Sequence, residues 1–155
     1  MSELAIGKAA PAFSAPATGD KTLSLADFAG KTLVLYFYPK DNTPGCTTEG
    51  QDFAAHHAKF KRAGAAIVGV SRDSLRAHEN FRAKYDFPFD LISDKDEALC
   101  QAFGVIKEKN MYGRKVLGIE RSTFVIDAEG VLRHAWRGVK VKGHVEEVLA
   151  AVKAL

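Results

Sequence analysis

Two thiols stand out as groups that could do chemistry, Cys46 and Cys100. They lie far apart in the chain and form neither a C-x-x-C pair nor a zinc-ligand pattern. A reducing cytosol would not keep such thiols as a structural disulfide, so any special role they have is chemical. Cys46 sits in the segment Tyr38-Pro39-Lys40-Asp41-Asn42-Thr43-Pro44-Gly45-Cys46-Thr47-Thr48-Glu49. Thr43 is a natural N-cap and Pro44 suits the first helical position. Cys46 then falls in the first turn of a helix, beside unpaired backbone N–H groups and the positive end of the helix dipole. Both favour thiolate over thiol.

A thiolate so placed can attack one oxygen of a peroxide in line with the O–O bond, while the other oxygen leaves as an anion. The site must then hold preorganised donors, first for sulfur and next for the departing oxygen. Thr43, three residues before the cysteine, offers a hydroxyl within reach of both. A helix end alone contributes about 0.3–1 kcal/mol, less than the ~1.4 kcal/mol equivalent to one pKa unit. A nearby cation is needed as well, and spacing alone does not single one out.

The elements that must position this loop are legible on either side of it. Thr32 to Tyr38 is a continuous apolar and β-branched run ended by Pro39, and Ala65 to Val70 reads the same way. Such runs suit central strands buried on both faces. Between them, Cys46 to Ala63 carries Phe53, His57 and Phe60 at helical spacing, with Gly64 as a stop. A strand–helix–strand unit of this kind implies parallel pairing.

A second helix is predicted from the N-cap Ser74 to about Tyr85, with Leu75, His78, Phe81 and Tyr85 on one face. Phe89 to Ile92 reads as a short strand and Asp96 to Phe103 as a short helix. Ser122 to Ile126 and Val131 to Trp136 flank the turn Asp127-Ala128-Glu129-Gly130, an antiparallel hairpin. Val145, Val148, Leu149 and Val152 give a closing amphipathic helix. Lys107-Glu108-Lys109-Asn110 reads as a solvated loop that borders the reductant's entrance, and Phe103, Met111 and Tyr112 as core or loop packing. The class is α/β: a thioredoxin-like fold, a central mixed β-sheet flanked by helices.

The 155 residues fit one domain, 1–155, with no repeat or linker, and with 46% apolar and 26% charged residues. The net charge of +3 comes from 22 basic and 19 acidic residues that are scattered, which argues against nucleic acid or membrane as partner. Met1 to Gly7 lacks a secretory signal and Leu33 to Tyr38 is too short to span a bilayer, so a cytoplasmic protein is expected. His56 and His57 are adjacent and point about 100° apart on a helix, which makes a poor two-ligand face, so no metal site is expected.

The spacing Pro39-x-x-x-Thr43-x-x-Cys46 resembles the active-site signature of peroxiredoxins. Tyr36-Phe37-Tyr38-Pro39-Lys40-Asp41 and Thr43-Pro44-Gly45-Cys46-Thr47-Thr48-Glu49 are similar to the peroxiredoxin Q, or bacterioferritin comigratory protein, subfamily. The likeness continues through Gly69 to Ser74, Ile92-Ser93-Asp94 and Gly118 to Phe124. It implies a thioredoxin-like fold and a thiol peroxidase, without a cofactor, that reduces hydrogen peroxide and organic hydroperoxides.

It also implies roles. Cys46 becomes the nucleophile that passes to sulfenic acid, and Arg121 the cation that bonds the thiolate and polarises the peroxide. Pro39 shields the cysteine, and Glu49 holds the arginine in place. A resolving cysteine, where the subfamily has one, would fall at Gln51 or Arg82, and neither is a thiol. Cys100 remains the candidate, but its neighbours Leu99 and Phe103 favour a structural role. The resemblance therefore implies a monomer with a one-cysteine cycle, resolved by thioredoxin, glutaredoxin or glutathione.

Three other readings compete with this one. A thioredoxin-type oxidoreductase would need a second cysteine beside the first, and Gly45 to Glu49 offers none. A two-cysteine peroxiredoxin would use Cys100. A redox-sensing adaptor would oxidise at Cys46 without turnover.

Overall fold

The computed structural model describes residues 4–155; Met1 to Glu3 and the Met111 side chain lie outside that description, together with the readings that touch them. The apolar run after Lys31 forms β3 (Thr32–Phe37), whose side chains are buried from Leu33 onward. Pro39 has no N–H to continue a ladder, so the chain leaves the sheet there and enters the reactive loop. The helix α1 (Pro44–Arg62) follows, and it returns the chain to β4 (Ala65–Ser71), which pairs parallel to β3 with Thr32 opposite Ala65.

Next come α2 (Leu75–Tyr85) and β5 (Asp90–Ser93), the latter parallel to β4. Ser74 caps α2 by accepting a hydrogen bond from the Ala77 N–H at 3.1 Å. The short helix α3 (Ala98–Ala102) precedes β8 (Ser122–Ile126) and β9 (Leu132–Arg137), an antiparallel hairpin, and α4 (His144–Lys153) closes the chain. Asp127 builds the hairpin turn by accepting from the N–H groups of Glu129 and Val131, each at 3.0 Å.

Two hairpins were not expected. β1 (Ser14–Ala17) and β2 (Lys21–Ser24) form one, turning through Gly19 and Asp20 at positive φ. β6 (Ile106–Met111) and β7 (Arg114–Ile119) form the other, so the stretch 107–110 is a strand and not a loop. Its turn is Tyr112-Gly113, with both residues at positive φ. That is where a two-residue hairpin favours Asn-Gly, and a tyrosine in that place gives no turn signal. Tyr112 is fully exposed there, whereas Phe103 is core.

The main sheet has the order β2-β1-β5-β4-β3-β8-β9, with β8 antiparallel to β3. Side chains alternate across it. Leu33, Leu35 and Phe37 join the apolar cluster that contains Leu99, Cys100 and Phe103 of α3. Val34, Tyr36 and Tyr38 join the other cluster, with Cys46, Phe53 and Phe60 of α1, Phe81 of α2 and Val145, Val148 and Val152 of α4. The two clusters are therefore on opposite faces of the sheet. No helix among the described residues is long and apolar enough to cross a membrane.

Candidate active site

Cys46 occupies the third position of α1, 2% exposed, where the loop from β3 becomes helix. Pro44 has no N–H, and the N–H groups of Gly45 and Cys46 have no acceptor among the described residues. The helix thus starts with unpaired donors in the same turn as the sulfur.

Thr43 holds the N-cap position, but its side chain does not cap the helix. Its hydroxyl donates to the Lys40 carbonyl at 2.8 Å, which closes the loop. A hydroxyl has one proton, so in this arrangement Thr43 has lone pairs left to offer rather than a donor. Pro39 is half-buried immediately beyond Tyr38.

Arg121 reaches the thiol because of strand register. Phe37 is opposite Ser122, so the residue before β8 meets the chain where it leaves β3. The Arg121 carbonyl accepts from the Val139 N–H at 3.0 Å, which fixes its backbone. Nη2 donates to Cys46 Sγ at 3.4 Å and Nη1 donates to Glu49 Oε1 at 2.6 Å. Cys46 and Glu49 are three apart on α1 and so share a face. One planar guanidinium bridges both, a geometry that its rigid fork fixes in advance and that a flexible ammonium does not.

The electrostatics follow from burial. Burial opposes the charge on Arg121, but Glu49 and Cys46 outweigh it and raise its pKa. Burial pushes the Glu49 carboxyl up to about 7, with the Arg121 charge opposing. Glu49 Oε2 has no protein hydrogen-bond partner, and neither has the hydroxyl of Tyr36.

Lys109 is a further cation at this site that the sequence did not single out. Its ammonium donates to the Ile119 carbonyl, two residues before Arg121. Burial, and then the Arg121 charge, lower its pKa, while Cys46 acts in the opposite sense. Recognising the β6–β7 hairpin would have placed this lysine, because pairing brings the strand of Lys109 alongside the segment that leads into Arg121.

Cys100 is elsewhere. It is fully buried on α3, in the apolar cluster across the sheet from Cys46. Its N–H donates to Asp94 Oδ2 at 2.7 Å, and the Leu99 N–H to Oδ1 at 3.0 Å, so Asp94 tethers the start of α3. Burial, and then the Asp94 carboxylate, push the Cys100 thiol far above its ordinary range.

The structure also gathers Asp41, Asp73 and His78. Asp41 accepts from the Tyr38 hydroxyl at 2.6 Å and lies 2.6 Å from His78 Nδ1. Asp73 accepts from the Ser71 hydroxyl and the Asp41 N–H, and His78 Nε2 donates to the Ile92 carbonyl at 2.8 Å. These groups are engaged with one another and tie the reactive loop to α2. His56 lies against its own helix, on the Asp52 carbonyl at 2.9 Å.

Residues 6–135 match the AhpC/TSA family. The chain belongs to that family. It is 62% identical over 137 residues to the peroxiredoxin Bcp of Xanthomonas campestris pv. campestris, covering 88% of this chain and 86% of that one. Peroxiredoxin Bcp of Bacillus subtilis is 49% identical over 148 residues, covering 96% and 94%. Among solved structures, the bacterioferritin comigratory protein of X. campestris, described for its alkyl peroxide reduction activity, superposes with a TM-score of 0.88. It is 59% identical and covers 92% and 90% of the two chains. A cysteine variant of Xylella fastidiosa PrxQ superposes with a TM-score of 0.93 at 47% identity, over 99% and 98%. The chain is thus a peroxiredoxin of thioredoxin-like fold and a thiol-dependent peroxidase, as the resemblance implied.

Proposed function

We propose that this peroxiredoxin, acting as one domain over residues 1–155, reduces hydrogen peroxide and organic hydroperoxides through Cys46 in a one-cysteine cycle. The observation that carries this reading is the Arg121 fork, which holds Cys46 Sγ and Glu49 Oε1 at once at the start of α1. The Cys46 thiolate attacks the terminal peroxide oxygen. The S–O bond forms as the O–O bond breaks, and the leaving oxygen takes up a proton to become water or an alcohol. Arg121 and the free N–H groups of α1 face the developing negative charge. Thr43 accepts the hydrogen bond of the incoming hydroperoxide, Glu49 orients Arg121, and Pro39 limits water at the sulfenic acid.

An external thiol then attacks the sulfenic sulfur, releasing water and leaving a mixed disulfide. A second thiol frees Cys46 and carries away the disulfide. The reductant is a thioredoxin, a glutaredoxin or glutathione, and the protein works as a cytoplasmic monomer. Two facts support the absence of an internal resolving thiol. Residues 51 and 82 are Gln and Arg, and Cys100 lies buried across the sheet in an environment that disfavours its thiolate. A disulfide requires Cα atoms within about 7 Å.

The test is mass spectrometry of peroxide-treated protein together with turnover of Cys100→Ser. Cys46 should appear oxidised without a Cys46–Cys100 linked peptide, and the variant should turn over at near the parental rate. A linked peptide in high yield, with activity lost in Cys100→Ser, would establish the two-cysteine cycle instead.

A further inference from the structure

The reactive site contains one buried polar group without an evident task, the hydroxyl of Tyr36. Its ring is 1% exposed and does ordinary core work, stacking on Phe53 at 4.5 Å and on Tyr38 at 5.5 Å, with Phe89 edge-on. The fold makes room for its far end. A Cβ on Gly69, the residue opposite it on β4, would lie 2.9 Å from Tyr36 Cζ and 3.0 Å from its oxygen. A phenylalanine would supply all of this packing. The hydroxyl adds a donor whose desolvation is unfavourable when it is left unpaired.

Among the described residues, two buried side-chain polar atoms lack a protein partner, and both are here: Tyr36 Oη and Glu49 Oε2. They are complementary. Burial and the surrounding negative groups keep the phenol protonated, so it is a standing donor, and Glu49 is the foremost charge acting on it. The carboxylate oxygen is an acceptor whose twin is already taken by Arg121. No direct hydrogen bond joins the two, and an internal water needs two to four polar partners to be held.

We propose that one buried water links the Tyr36 hydroxyl to Glu49 Oε2, making Tyr36 a positioning residue that acts through Glu49 and Arg121 on Cys46. The proposal rests on the reading of Arg121 and Glu49 given above. Donation to Oε2 favours the ionised carboxyl, and the ionised carboxyl anchors the guanidinium. The titratable groups acting on the link are Cys46 and Asp52 of α1, Asp41 of the loop and Arg121 before β8. The Arg121 charge also acts on Lys109 of β6 and His144 of α4.

The test is a double-mutant cycle of Tyr36→Phe and Glu49→Gln, read as the rate of peroxide reduction against pH. Tyr36→Phe should lower kcat/KM by about 3- to 10-fold near neutral pH, the equivalent of one hydrogen bond. It should also move the ascending limb of the pH profile upward. In the Glu49→Gln background Tyr36→Phe should cost nothing further, because its route of action is gone. A merely structural role would give additive losses and an unmoved pH profile, and that result overturns the proposal. So does a parental rate and profile for Tyr36→Phe when Glu49→Gln is impaired. A parental rate for Glu49→Gln itself would overturn the assignment of Glu49 beneath it.

Discussion

Arg121→Lys is the sharpest perturbation of this site, because it keeps the charge and removes only the fork. In the parent, Nη1 is 2.6 Å from Glu49 Oε1 while Nη2 is 3.4 Å from Cys46 Sγ. A lysine has one ammonium on a flexible stem, and the strong acceptor Glu49 will hold it. The sulfur and the leaving oxygen then lose an oriented donor while a positive charge remains nearby. Removing one preorganised donor costs about 10²- to 10³-fold, or about 2.7–4 kcal/mol at ~1.36 kcal/mol per decade. With the charge kept, the expected loss is near the lower end, about 10²-fold. The assay is single-turnover oxidation, with the reaction quenched at intervals and the oxidised Cys46 peptide quantified by mass spectrometry. Parallel urea unfolding establishes that the variant is folded. Oxidation of Arg121→Lys within a factor of about three of the parent would refute the argument that the fork, rather than the charge, carries the rate.

Three further outcomes are expected. Thr43→Val should lose activity on the scale of one site hydrogen bond or more, whereas Thr43→Ser retains most of it; equal rates for the two variants in peroxide turnover would remove the hydroxyl from the mechanism. Gly50→Ala should lower the urea midpoint despite a better helix propensity, because its Cβ would meet Phe87 Cζ at 2.5 Å. Overpacking of that kind costs about 1–3 kcal/mol against a propensity gain of about 1 kcal/mol, and a stabilised variant would contradict it. Burial lowers the pKa of His144, whose Nε2 is 2.8 Å from Thr123 Oγ1, from 6.5 to about 4. The unfolded chain therefore binds a proton that the folded one refuses, so its contribution is intact above about pH 6.5 and falls away toward pH 4, by about 3 kcal/mol. Glu49 acts in the opposite sense over nearly the same range, since its folded pKa is raised. The measurement is therefore the difference in unfolding free energy between His144→Gln and the parent, which should grow in the variant's favour as pH falls, and a constant difference would contradict the linkage.

Much of the scaffold was legible because its signals are local. The β3 run is apolar without alternation, Ser74 caps α2 through its own hydroxyl, and Asp127 organises its turn through bonds to residues two and four positions on. The hairpin of β6 and β7 was not legible. The polar run Lys107 to Asn110 breaks any apolar alternation along β6 and the turn places Tyr112 at positive φ, so neither periodicity nor turn chemistry announced it. The N-terminal hairpin did carry a signal, Gly19-Asp20, but its first strand, Ser-Ala-Pro-Ala, has no strand-like composition.

For the site, the sequence by itself determined the setting of Cys46 at the start of a helix. Pro44 at the first helical position suits a helix start that needs no distant partner, and Glu49 follows Cys46 on the same face by helical periodicity. Resemblance named Arg121, but the tertiary structure decided why it arrives: antiparallel register sets the residue before β8 against the exit of β3. Tertiary structure also decided the environment of each group. It left Glu49 Oε2 and the Tyr36 hydroxyl buried without protein partners, brought Lys109 within the field of the arginine, and put the sheet between Cys46 and Cys100. The physical reason is range. Caps, turns and periodicities act over a few residues of chain, whereas burial, ion pairing and the face of a sheet are set by segments far apart in sequence that meet only when the strands align.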